Sequence, residues 1–125
     1  MAENLDLPPE IRDGVQALPD RTSSGKLMVI ANITVKPGKE ALFEKLAIES
    51  KLSANSDKEP GTHTYRLTRV FNNDNEPMPG KYILIEEYAG KAGLLLHLQT
   101  VAQQAYTKAA GDMIDSMNVD IVDEF

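Results

Sequence analysis

The sequence contains no cysteine and no tryptophan, and its aromatic complement is three phenylalanines and four tyrosines. Without cysteine, disulfides, thiolate metal sites and thiol nucleophiles are excluded, and a reducing compartment suits the chain. No apolar run approaches the roughly 20 residues of a membrane-spanning helix. The opening Met1-Ala2-Glu3-Asn4-Leu5-Asp6 lacks the basic and apolar regions of a signal peptide. A cytoplasmic protein is the expectation. Positive charge is also scarce, with 13 Lys and Arg against 19 Asp and Glu, for a formal charge of -6. That surface repels phosphate backbones, and no basic stripe interleaved with aromatics offsets it, so nucleic acid is not an expected partner.

The 125 residues suit one domain. A chain of this size builds a sufficient core only if nearly every apolar stretch contributes. Residues 1–25 differ in composition from the rest. Pro8-Pro9-Glu10-Ile11-Arg12-Asp13 can open a short helix that sets Val15 and Leu18 against the body. A docked arm and a loosely ordered leader remain equal alternatives there. The main domain is expected over residues 26–125. Residues 26–36 are rich in β-branched side chains and apolar on both alternating sets, as in a strand covered on both faces. Residues 39–53 have helical spacing, with Leu42, Phe43, Leu46, Ala47 and Ser50 inward. Residues 62–71 and 81–88 read as a hairpin around the exposed loop 72–80. Residues 92–111 read as a helix broken near Thr100, and 118–122 as a short last strand.

This β-α-β-β-α-β order describes an α+β, ferredoxin-like antiparallel sheet with both main helices on one face. Strands apolar on both sides then leave one face uncovered, a patch larger than soluble monomers usually expose. Face-to-face pairing of two copies is therefore expected.

Several local signals align with a known family. Val29-Ile30-Ala31-Asn32-Ile33-Thr34-Val35-Lys36-Pro37-Gly38-Lys39 resembles the first strand and turn of the antibiotic biosynthesis monooxygenase (ABM) family. Glu59-Pro60-Gly61, Ile85-Glu86-Glu87-Tyr88 and His97-Leu98-Gln99-Thr100 are similar to its later segments. Ala105-Tyr106, Gly111-Asp112 and Met117-Asn118 resemble the quinol monooxygenase branch. The resemblance implies a dimeric α+β barrel with a pocket between sheet and helices in each subunit. It also implies oxygenation of quinols, anthrones or related phenolics with O2, without flavin or metal. Related branches degrade haem, isomerise small metabolites or have no known chemistry, so fold alone leaves the activity open.

No nucleophile elbow, HExxH or phosphate loop is present. Candidate residues are instead scattered polar and aromatic side chains. A base for a phenolic proton needs a pKa near working pH, which imidazole meets, and the chain has two histidines, His97 and His63. His97 reads either as a packed, capping residue or as a catalytic base, and His63 either as an exposed turn residue or as a second base. Tyr88 stands where the family often carries Trp, and it can stack on a planar substrate or donate its hydroxyl. Asn32 reads as a substrate contact if it faces the pocket, or as an interface residue if it faces a partner copy. In haem-degrading relatives the functional Asn corresponds to Ala31 here. Tyr65 and Tyr106 are candidate substrate contacts or core packing. Arg69 is a candidate oxyanion partner or a rim ion pair, and it faces away from Arg66. Two unlinked histidines do not make a zinc site, so no metal and no other cofactor is expected.

The leading expectation is a cofactor-independent monooxygenase acting on a small hydroxylated aromatic substrate and O2. An isomerase, cyclase or dehydratase on a polyketide-like substrate is the first alternative. A dimeric binding or stress-response protein without turnover is the second.

Overall fold

The computed structural model describes residues 9–125, and the readings placed on Met1–Asp6 and Pro8 lie outside that range. Eight elements follow in order: α1 (Pro9–Gln16), β1 (Leu27–Val35), α2 (Glu40–Ala54), β2 (Thr62–Phe71), β3 (Pro77–Tyr88), α3 (Lys91–Leu98), α4 (Val101–Met113) and β4 (Ile114–Val122). The strands form one antiparallel sheet in the order β2-β3-β1-β4. This is the expected α+β, ferredoxin-like arrangement, with helices packed on one sheet face.

Strict alternation in β1 decides which side chains meet those helices. Leu27, Val29, Ala31, Ile33 and Val35 are buried, while Met28, Ile30, Asn32 and Thr34 between them are half-buried. The pairing Ala31↔Leu84 carries the same phase into β3, where Tyr82, Leu84, Glu86 and Tyr88 are buried. Tyr65↔Glu86 carries it into β2. Phe43 and Ala47 of α2 and Tyr106 and Met113 of α4 close the core over this face. The Phe43 ring lies 4.5 Å from that of Tyr82 and 5.9 Å from that of Tyr106.

Two strands are longer than sequence patterning indicates. β3 starts at Pro77 because its first residues lie beyond the end of β1, whose last pair is Thr34↔Lys81, and they bond to β2 alone. Proline is tolerated there because this end of β3 has a strand on one side only. Gly80 is required at φ 76, with a Cβ there falling 2.9 Å from the Val35 carbonyl oxygen. β4 starts at Ile114, directly after α4, because pairing with Val35 of β1 outweighs the weak strand propensity of Asp115 and Ser116. The helix break near Thr100 occurs as expected. Thr100 caps α4, its Oγ1 accepting from the Gln103 N–H at 3.2 Å.

The arm is docked within the described range. Val15 is buried with Leu27, Val29, Tyr88, Leu94 and Leu98, and Lys91 Nζ donates to the carbonyls of Gln16 and Leu18 at 2.9 and 3.1 Å. No helix among the described residues is long and apolar enough to cross a membrane.

Candidate functional site

A cavity of about 170 Å³ lies between the sheet and helices α3 and α4. β1 contributes Val29, Ala31 and Ile33 to its wall, β2 and β3 contribute Tyr65, Leu84 and Glu86, and the helices contribute His97, Gln103 and Tyr106. Its rim includes Met117 and Val119 of β4, which are 57% and 45% exposed, so the cavity approaches solvent along the β4 side. For scale, an engineered apolar cavity of roughly 150 Å³ accepts benzene. The volume is of the size that a single aromatic ring occupies.

Glu86 is the charge-bearing group on the β3 wall. It occupies the buried phase of the strand, where period-two alternation would otherwise place an apolar residue. Burial raises its carboxyl pKa from 4.5 to about 7, against the opposing effect of the Tyr88 hydroxyl, which donates to Oε1. No cation contributes to this balance. A carboxyl held near neutrality in an apolar cavity accepts and returns protons at working pH.

Three tyrosines surround it. Tyr65, Tyr88 and Tyr106 all have raised hydroxyl pKa values, chiefly through burial and further through the nearby Glu86 charge. They therefore remain protonated donors, the form that stabilises an oxyanion.

His97 sits in the last turn of α3, on the cavity wall and 1% exposed. Its Nδ1 lies 2.6 Å from Glu59 Oε1, and Nε2 lies 3.1 Å from Gln103 Oε1 and 3.4 Å from Ser50 Oγ. Its ring is 5.0 Å from Tyr65 and 5.8 Å from Tyr88. Burial lowers its pKa, with Glu59 and then Gln103 opposing. Glu59 is itself buried on the loop before β2, and Ser53 Oγ donates to its Oε2 at 2.6 Å. Two glycines bring that loop onto α3: a Cβ on Gly93 would fall 2.4 Å from the Gly61 carbonyl oxygen.

The structure thus gathers four of the expected residues, His97, Tyr88, Tyr65 and Tyr106, and separates three. His63 is exposed at the start of β2, where the register with β3 shifts between Thr62 and Thr64, so the alternation that buries Tyr65 does not extend to it. Asn32 lies on the sheet face opposite His97, half-buried and paired with Ile83 and Asn118, so of its two readings the substrate contact in the pocket is the one the structure removes. Arg69 is exposed and donates to Glu44 Oε1 at 2.6 Å, a rim ion pair and not an oxyanion partner of this cavity. Sequence reasoning missed Glu86, Glu59, Ser50 and Gln103. Among the described residues no three His, Cys, Asp or Glu side chains converge as a metal site.

A model of the antibiotic biosynthesis monooxygenase family matches residues 26–109. Among solved structures, a Pseudomonas aeruginosa protein superposes with a TM-score of 0.69 at 19% identity, covering 83% of this chain and 98% of its own. A Caulobacter crescentus protein, provisionally named an antibiotic biosynthesis monooxygenase, superposes with a TM-score of 0.67 at 28% identity, covering 81% and 91%. A Mycobacterium tuberculosis protein gives 0.65 at 19% identity, covering 80% and 95%. Comparison with curated proteins gives no match. The docked arm precedes the region that the family model matches.

Proposed function

The chain belongs to the antibiotic biosynthesis monooxygenase family, and from that premise we propose that it is a cofactor-independent monooxygenase oxidising a hydroxylated aromatic ring with O2. The observation that carries the reading is Glu86, a buried carboxyl with a pKa of about 7 on the wall of a cavity the size of one ring. The reacting ring enters this space, and the rest of a larger quinol or anthrone stays at the rim beside Met117 and Val119.

Glu86 takes the phenolic proton, and Tyr65 and Tyr106 donate to the resulting oxyanion. The phenolate passes one electron to O2, and the aryloxyl radical and superoxide combine at a vacant ortho or para carbon. The peroxide takes back the proton from Glu86. Loss of the ring hydrogen and cleavage of the O–O bond then release water and leave a quinone. One ring and one O2 give one quinone and one H2O. The water-poor cavity raises the energy of the anion and so favours electron transfer. The anion itself reduces O2, so this scheme calls on no metal or flavin.

The same proposal includes a homodimer. The face carrying Met28, Ile30, Ile83 and Ile85 is half-buried, and among the described residues no helix packs on it. A second copy placed face to face would cover it. A cytoplasmic location completes the reading, supported by the absence of cysteine.

The test is O2 consumption with menadiol and anthrone panels in an oxygen electrode. Uptake above the autoxidation rate, insensitive to chelators, is the expected result. No such uptake with any substrate contradicts the proposal, and turnover retained under strict anaerobiosis replaces it with an isomerase or cyclase.

A further inference from the structure

Residues 9–25 precede the region that the family model matches, yet the fold fastens them down. Lys91 holds the end of α1: its Nζ donates to the Gln16 and Leu18 carbonyls, and its backbone N–H donates to the Asp20 carbonyl at 2.5 Å. Gly90, at φ 112, permits that approach, since a Cβ there would fall 3.0 Å from the Asp20 oxygen. Further along, the Thr22 N–H donates to the Lys26 carbonyl at 2.8 Å, and the Ser24 N–H donates to Asp123 Oδ1 at 3.3 Å.

The inward-facing residues of each element show what this arm covers. On β1, Leu27 shares the buried cluster of Val15, Val29 belongs to that cluster and to the cavity wall, and Ala31 and Ile33 are on the wall beyond it. On β3, Tyr88 is in the cluster, while Glu86 and Leu84 are on the wall. Leu94 of α3 is in the cluster, and Leu98 is in both. The cavity therefore ends at Val29 and Leu98, against the arm. Glu86 stands at that end: Val29 is its partner across the β1–β3 ladder, and the Tyr88 hydroxyl donates to its Oε1. Leu27 and Tyr88 are 0% exposed, whereas α1 turns Asp13, Gly14 and Gln16 to solvent on its other side. At this end one helix separates Tyr88 from water.

We propose that the arm is the stopper of the cavity and that Val15 is a positioning residue, keeping water from the Tyr88–Glu86 pair. Substrate then enters beside Met117 and Val119, and the acid at the closed end stays dry until the ring arrives. Burial is the larger influence on the Glu86 carboxyl, and the Tyr88 bond opposes it, so loosening the arm has a directional outcome. Admitting water lowers the Glu86 pKa, whereas losing the Tyr88 bond without admitting water raises it. The titratable groups around Glu86 are Tyr65, Tyr88, Tyr106 and His97, none of them on the arm. Uncharged changes in the arm therefore act on Glu86 through packing and water. The role of Glu86 as base rests on the oxygenase reading above, whereas its closure behind the arm does not.

The experiment is a 13C NMR titration of the full chain with glutamate labelled at the carboxyl carbon, the Glu86 signal being identified by its absence in Glu86→Gln. Val15→Asn places a polar group in the apolar seat without adding charge. Lys91→Met removes the Nζ bonds to Gln16 and Leu18. The Glu86 midpoint should fall in both variants, in Val15→Asn by about one pH unit or more. The acid limb of kcat/KM for O2 uptake should move to lower pH with it. A midpoint that stays in place or rises in either folded variant overturns the proposal. If Val15→Asn does not fold, Lys91→Met decides alone, since it leaves the apolar cluster intact. A falling midpoint without O2 uptake refutes the oxygenase reading alone. An unmoved midpoint with uptake intact refutes this one alone.

Discussion

Replacing Glu86 with Gln should make the protein more stable at alkaline pH while removing its base. The folded carboxyl has a pKa of about 7 against 4.5 in the unfolded chain. Between those values the folded state holds a proton that the unfolded state has lost, so wild-type stability falls as pH rises through this window. The stabilising contribution is fully present below about pH 4.5 and gone above about pH 7. Each pKa unit corresponds to about 1.4 kcal/mol, so the loss across the window is on the order of 3 kcal/mol. Glutamine keeps an oxygen to accept the Tyr88 hydroxyl and carries no charge to desolvate. Urea unfolding of both proteins at pH 4.5 and pH 8 isolates the term, because other titrating groups cancel in the comparison. Glu86→Gln should gain about 3 kcal/mol over the wild type between the two pH values. A difference between the two proteins that is the same at both pH values would refute the assignment of Glu86 as a buried, cation-free acid.

Three further outcomes follow from the geometry. Gly93→Ala drives a methyl against the Gly61 carbonyl oxygen, so it should cost about 1–3 kcal/mol in urea unfolding. Ile85→Lys puts a charge at the centre of the open sheet face and should convert a dimer to a monomer in light scattering at micromolar concentration, whereas unchanged mass would place any interface elsewhere. His63→Ala, at an exposed position, should leave kcat and KM for O2 uptake within twofold of wild type, and a tenfold loss would return His63 to the list of bases.

Much of the fold was legible because it rests on local periodicity. The alternation of β1 and the spacing of Phe43 and Ala47 each report a buried face without knowledge of the partner. Strand ends were less legible, since Ile114 and Pro77 are in strands only because β1 and β2 offer them partners. The site divides the same way. Tyr88 and His97 stood out as an aromatic and an imidazole in apolar runs, but the neighbouring Glu86 and Glu87 look alike in sequence. Their difference is phase: Glu86 alternates with Leu84 and Tyr88, while Glu87 turns outward to Lys26 at 3.1 Å. That phase was the available signal for a buried acid. Glu59 had none, because its burial depends on two glycines meeting across distant segments. The orientation of Asn32 was open for a similar reason. Only the covering helices decide which of two apolar phases faces the cavity.

The central claim is that Glu86 is the base of an oxygenase cavity, and the pH dependence of kcat/KM for O2 uptake tests it most directly. With a phenolic substrate that does not itself titrate below pH 9, the wild type should show an acid limb with a midpoint near 7, the pKa of the buried carboxyl. Glu86→Gln should lose at least 100-fold in rate and show no limb there, a size within the roughly 10²–10⁴-fold range of a general base. A limb near 7 that persists in Glu86→Gln, or full activity in that variant, would contradict the account.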